Sequence, residues 1–127
     1  MKPNIVIIMA DQLAPHFCGA YGHKIAKTPN IDSLAKRGMR FDAAYCNSPL
    51  CAPSRFSFMS GQLVGRIAAY DNASEFKAAT PTFAHYLKTL GYRTCLSGKM
   101  HFVGPDQKNG FQDRITTDIY PSDFAWT

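Results

Sequence analysis

The stretch Asn4-Ile5-Val6-Ile7-Ile8-Met9-Ala10-Asp11 decides the fold class expected for this chain. It is a continuous apolar run, rich in β-branched residues, that ends at a carboxylate. Such a run is typical of a strand buried on both faces, as in a parallel sheet covered by helices. In open α/β sheets the ligand crevice lies outside the carboxyl ends of the strands, so Asp11 and Gln12 are predicted to face a site.

Further along the chain, two segments carry helix signals. Residues 28–38 begin with Thr and Pro, place basic residues in the last turn and end at Gly, and residues 80–91 repeat this pattern. Residues 39–45 and 92–96 are strand candidates because apolar residues alternate or cluster there. The predicted order of strand, helix, strand, helix, strand indicates a βαβ-rich α/β domain.

Composition and charge exclude several classes of protein. The chain has 127 residues, of which 46% are hydrophobic and 18% charged, as in an ordinary globular domain. Its formal net charge is +5, but the basic residues are scattered, so we expect no nucleic-acid partner. No apolar stretch approaches the ~20 residues that span a bilayer, and no secretory signal is evident. We therefore expect a cytoplasmic protein without a membrane segment.

The four cysteines lack the spacing of a metal cluster or a disulfide framework. There is no CxxC pair, and no histidine stands at zinc-finger spacing from a cysteine. We expect buried thiols at Cys18, Cys46 and Cys95. The fourth cysteine, Cys51, is the exception.

The strongest local signal is Ser48-Pro49-Leu50-Cys51-Ala52-Pro53-Ser54-Arg55, followed by a helix-compatible stretch that ends at Gly61. Cys51 is thus predicted just before a helix start, where unpaired N–H groups and the helix dipole favour an anion. From the residues alone, Cys51 is either an activated thiol or anion-site residue, or a buried structural cysteine.

The pattern Cys-x-Pro-Ser-Arg at residues 51–55 is similar to the signature of type I sulfatases, which belong to the alkaline phosphatase superfamily. Three other stretches match that family in the same order, namely residues 3–12, 28–35 and 98–101. The resemblance implies an α/β fold with a mixed sheet flanked by helices. It also implies that residues 1–127 are the N-terminal portion of the catalytic domain, so that the sheet is incomplete in this chain. It also implies that the complete protein is a sulfuric ester hydrolase and that residues 1–127 alone are inactive.

The resemblance further implies roles for four residues. In this family the signature cysteine, here Cys51, is oxidised by a formylglycine-generating enzyme to Cα-formylglycine, whose hydrated form attacks sulfur. Arg55 would lie one helical turn along, beside the nucleophile. Lys99 would contact the sulfate, and His101 would assist the hydroxyl that does not carry sulfate. Without the family, Arg55 is a surface helix residue and His101 a loop histidine.

Metal binding is implied in the same way. Asp11 resembles the first metal-ligating carboxylate of the family, and Gln12 and the modified Cys51 would join it around Ca²⁺, or around Mn²⁺ or Mg²⁺. Many sulfatases have a second Asp where this chain has Gln12, a departure that resembles choline sulfatases and phosphonate monoester hydrolases. The alternative for Asp11 is a solvated loop residue or helix cap.

The substrate expected from the resemblance is choline sulfate, because residues 70–76, 98–107 and 117–126 resemble bacterial choline sulfatases. Trp126 would be a cation–π wall for the trimethylammonium group, or else a core residue. Asn72 would form a hydrogen bond with the sulfate side of the substrate. The complete enzyme would be a homo-oligomer. Two alternatives stay open: a phosphonate monoester or phosphodiester hydrolase, and a non-catalytic binding module with an unmodified cysteine.

Overall fold

A computed structural model of the chain describes residues 2–116 and residue 118. The chain divides into two compact units, Met1–Ala44 and Tyr45–Thr127. None of the helices in this described part has the length and apolar character that crossing a bilayer requires.

The first unit is built around helix α1, Pro29–Arg37, which follows two short 3-10 helices, Pro15–Phe17 and Gly19–Tyr21. The helix predicted at residues 28–38 is therefore confirmed. Asp32 ties its first turn to the preceding segment, because its Oδ1 atom accepts hydrogen bonds from the Thr28 hydroxyl at 2.9 Å and from the Ala20 N–H at 2.7 Å.

The prediction of strands at residues 4–9 and 39–45 was wrong, since neither segment, both of which the structure describes, forms a strand. The apolar side chains of the first segment are exposed, with Val6 80% and Ile8 86% accessible. A strand buried in a parallel sheet needs hydrogen-bonded neighbours and covering helices. Among the described residues no paired strand lies beside residues 4–9.

The second unit contains three helices and a two-stranded parallel sheet: α2 Cys51–Ser60, α3 Val64–Ile67, α4 Phe83–Thr89, β1 Cys95–Leu96 and β2 Asp113–Arg114. Strand β1 lies within the predicted residues 92–96. Helix α4 begins later than the sequence pattern indicates, because Thr82 takes the N-cap position and its N–H donates to His85 Nδ1 at 3.1 Å.

Three aromatic rings in the core of this unit join α2 to the segment that follows β1. The Phe56 and Phe76 rings stack with centroids 4.4 Å apart, and the Phe102 ring lies 5.9 Å from that of Phe76. All three side chains are buried, and burying each contributes about 1.5–3 kcal/mol relative to exposure. This packing anchors α2 against residues 100–102.

Burial of the thiols differs from expectation at two positions. Cys18 is buried as expected, whereas Cys46 and Cys95 are exposed and Cys51 is half-buried. At Cys95 the cause is strand alternation, because its neighbour Leu96 takes the buried face of β1.

Candidate active site

The site begins at the N-terminus of α2, where Cys51 is the first helical residue. It lies one position further into the helix than predicted. The N–H of the second residue, Ala52, donates to Asn72 Oδ1 at 3.0 Å, and Pro53 at the third position has no N–H to satisfy. A side chain from a distant segment thus caps this helix end.

Lys99 brings a positive charge to the cysteine. Its Nζ donates to Cys51 Sγ across 3.9 Å, while its backbone carbonyl accepts a 2.8 Å hydrogen bond from Arg55 Nη1. Arg55 is buried, with 7% of its surface exposed, so the alternative of a surface helix residue is wrong. A helix N-terminus next to a lysine suits an anionic ligand.

His101 is buried in the segment after β1, and its Nε2 lies 3.0 Å from the carbonyl oxygen of Asn72. A carbonyl can only accept, so Nε2 carries the proton of this hydrogen bond. In the neutral ring, Nδ1 is then the basic nitrogen. The backbone of His101 is left-handed, with a φ of 59°.

Burial lowers the pKa of the His101 imidazole below its usual range. The hydrogen bond to Asn72 and the charge of Asp118 act in the opposite direction, whereas the positive charges of Lys99 and Arg55 lower the pKa further. The ring is therefore neutral at neutral pH and able to accept a proton.

The structure brings most of the predicted site residues together within the second unit: Cys51, Arg55, Asn72, Lys99 and His101. Asp11 and Gln12 belong to the first unit, where both are exposed and Gln12 has a left-handed φ of 56°. Trp126 lies outside the described residues. Across residues 2–116 and 118, no group of three or more His, Cys, Asp or Glu side chains is arranged to hold a metal ion.

Sequence reasoning missed Asp118, whose buried carboxylate accepts the N–H groups of Met100 and Phe102 and pairs with Arg114. Asp118 stands in a segment without a helical or strand period, and its spacing of four residues from Arg114 was the one available signal.

The chain is similar to known proteins over nearly its whole length. The Sulfatase family model matches residues 3–125. The choline-sulfatase of Rhizobium meliloti (strain 1021) is 56% identical over 126 residues, which cover 99% of this chain and 25% of that protein. The solved structure of BT4656 in complex with its substrate D-glucosamine-2-N,6-O-disulfate has a TM-score of 0.84 and 34% identity, covering 90% of this chain and 23% of that one.

The phosphonate monoester hydrolase of Agrobacterium radiobacter shares the fold, with a TM-score of 0.80 at 24% identity over 98% of this chain and 27% of that one. The chain therefore spans about a quarter of the length of the proteins it matches. These matches confirm the resemblance and the fold class that the sequence indicated.

Proposed function

The chain belongs to the sulfatase family. On that premise we propose that the complete protein hydrolyses a sulfate ester and that residue 51 supplies the nucleophile. The observation that carries the proposal is the Lys99 ammonium, 3.9 Å from the Cys51 sulfur at the start of α2. A sulfate group is an anion, and both the helix N-terminus and the ammonium stabilise negative charge.

We infer that Cys51 is the precursor of Cα-formylglycine, made by a formylglycine-generating enzyme. The Cys51 sulfur then stands in for an oxygen of that group. Once hydrated, formylglycine would supply the hydroxyl that forms a bond to the ester sulfur, while the bond from sulfur to the alcohol oxygen breaks and the alcohol leaves. The motif Cys51-Ala52-Pro53-Ser54-Arg55 and the contact with Lys99 support this inference.

The neighbouring side chains have separate tasks in this proposal. Lys99 holds the negative charge of the sulfate being transferred, an interaction that strengthens as charge develops on its oxygens. Arg55 fixes the backbone of Lys99 through the 2.8 Å hydrogen bond to its carbonyl. His101 is neutral, and its Nε2–H is bound to Asn72. As sulfate is released, its Nδ1 accepts the proton of the hydroxyl that does not carry sulfate.

A divalent cation, Ca²⁺ or alternatively Mn²⁺ or Mg²⁺, forms part of the proposal. Asp11 and Gln12 offer a carboxylate and an amide oxygen, the donor type that hard cations prefer. Such a cation takes about six to eight oxygen ligands, so these two donors alone do not complete its coordination.

Choline sulfate is the proposed substrate. It is supported by the 56% identity to a choline-sulfatase and by Trp126, whose indole suits a trimethylammonium group. Asn72 already uses Oδ1 for the Ala52 N–H, so its amide nitrogen is the group that would donate to a sulfate oxygen.

Two other functions remain as alternatives. Hydrolysis of a phosphonate monoester or phosphodiester is suggested by Gln12 and by the shared fold of the phosphonate monoester hydrolase. A non-catalytic module with an unmodified Cys51 is the second. The much higher identity to the choline-sulfatase favours sulfate esters.

The experiment uses the complete protein, produced with and without a formylglycine-generating enzyme. Mass spectrometry of the peptide containing residue 51 should show sulfur replaced by oxygen, with loss of hydrogen, only in the matured sample. That sample should hydrolyse choline sulfate faster than an aryl phosphonate monoester. The reverse substrate order would favour the phosphonate alternative, and a matured protein inactive on both would reject the proposal.

A further inference from the structure

The carboxylate of Asp118 lies buried behind the segment that carries Lys99 and His101. Its Oδ2 atom accepts hydrogen bonds from the backbone N–H groups of Met100 at 3.0 Å and Phe102 at 3.3 Å. The same atom pairs with Arg114 Nη2 at 3.0 Å, where the two side chains are 1% and 8% exposed. One oxygen therefore accepts hydrogen bonds from the peptide N–H groups of the residues before and after His101.

These hydrogen bonds hold the backbone on both sides of His101, which has an unusual conformation. A φ of 59° is uncommon for a residue with a side chain. Such a backbone persists only where its surroundings hold it, and it clusters at functional sites. Because Asp118 binds the residues before and after His101, it sets the direction in which the imidazole leaves the backbone, toward the carbonyl of Asn72.

Arg114 holds the carboxylate in place from behind. Its Nη1 atom donates to Gln107 Oε1 at 3.0 Å, and its guanidinium carbon lies 5.6 Å from the Phe102 ring centroid. Gln107 in turn donates to the Phe102 carbonyl at 2.8 Å. A carboxylate this buried is stable only with such donors around it, so the oxygen position is closely defined.

We propose that Asp118 is a positioning residue for His101 in the reaction, acting through the hydrogen bonds that its Oδ2 atom accepts from the flanking backbone. The inference rests on the proposed function. The Lys99 carbonyl has a second anchor, the hydrogen bond that it accepts from Arg55 of α2. A displaced acceptor at position 118 should therefore slow the proton-transfer step of His101 more than it weakens sulfate binding.

Two variants of the complete enzyme separate oxygen position from charge. Asp118→Glu keeps the charge facing Arg114 but moves the acceptor, whereas Asp118→Asn keeps an acceptor oxygen in place and removes the charge. We expect Asp118→Glu to lower kcat about a hundredfold per folded molecule, as misplacement by roughly 1 Å does, with a much smaller change in KM. Asp118→Asn should retain most of the kcat despite a lower melting temperature.

The matched control is Asp113→Asn, because Asp113 of β2 forms an exposed ion pair with Arg93 at 2.8 Å. It should change neither kcat nor KM. Equal kcat values for the two Asp118 variants, or a higher kcat for Asp118→Glu, would overturn the inference, since a purely structural ion pair predicts that reversed order.

Amide hydrogen exchange over residues 99–102 provides a measurement that needs no substrate. Asp118→Glu should accelerate exchange at Met100 and Phe102, while Asp118→Asn should resemble the unmodified sequence. The opposite ranking would contradict the positioning role. If the matured enzyme of unaltered sequence fails to hydrolyse sulfate esters, yet the variants show the expected exchange ranking, the proposed function is rejected and the backbone role of Asp118 stands.

Discussion

The Lys99 ammonium donates to the Cys51 sulfur across 3.9 Å, joining two residues that are 48 positions apart in the chain. Two further contacts fix this pair: Arg55 holds the Lys99 carbonyl, and Asn72 caps α2 beside Cys51. The second unit thus places a lysine ammonium beside one half-buried cysteine.

Replacing Cys51 tests the centre of this arrangement. Cys51→Ala and Cys51→Ser should each abolish sulfate-ester turnover by the complete enzyme, because neither residue can be oxidised by the cysteine-specific pathway. Cys95→Ala is the control, since that thiol is exposed on β1 and its loss should change the free energy of unfolding by about 0.5 kcal/mol. More than trace turnover by Cys51→Ala, measured as sulfate release, would disprove the nucleophile assignment.

The charge of Lys99 should be visible in the pH dependence of catalysis. Burial and then the positive charge of Lys99 lower the pKa of His101. The proposed role of His101 requires the neutral ring, so activity should fall as pH drops through this pKa. Lys99→Met removes one lowering cause, raises the pKa of His101 and should move the acid limb of kcat to higher pH. Lys77→Met, on an exposed residue, should not move it. An unmoved limb in Lys99→Met would show that His101 is not the titrating base.

Local signals predicted the helices well and the sheet poorly. Residues 28–38 carry their own start and stop residues, and α2 ends as expected at Gly61, whose left-handed φ of 67° suits glycine. Residues 4–9 have the composition of a buried strand, but a strand exists only with its partners. Asn72 and Asp118 act through contacts 16 to 29 positions away, which no local pattern encodes.

We expect Asn72 to have two separable effects, one on helix stability and one on substrate binding. Asn72→Ala removes the acceptor for the Ala52 N–H and should lower the free energy of unfolding by about 1 kcal/mol, as loss of a helix cap does. Asn72→Asp keeps an acceptor and adds a charge that the helix N-terminus favours, so stability should be retained. That negative charge repels sulfate, so KM should rise for Asn72→Asp. Unchanged KM in both variants would remove Asn72 from the substrate site.

The proposed metal dependence rests on the oxygen donors at Asp11 and Gln12. Chelation should abolish turnover by the complete enzyme, and Ca²⁺, Mn²⁺ or Mg²⁺ should restore it. Asp11→Asn should weaken the metal titration, whereas Asp42→Asn, which alters an exposed ion pair with Arg40, should not. Residues 1–127 alone should bind Ca²⁺ weakly, because such a cation needs about six or more oxygens. Tight stoichiometric binding by residues 1–127 in calorimetry would show that the ligands are misassigned.

Choline specificity makes a prediction for Trp126, which lies outside the described residues. If the trimethylammonium group packs against the indole, Trp126→Ala should raise KM for choline sulfate far more than for an uncharged aryl sulfate. A desolvated cation–π contact of about 2 kcal/mol corresponds to roughly a thirtyfold effect. Trp126→Phe should recover part of the loss, because phenylalanine keeps a weaker π-face. Equal losses on both substrates would identify Trp126 as a packing residue, and choline would then be supported only by the 56% identity to a choline-sulfatase.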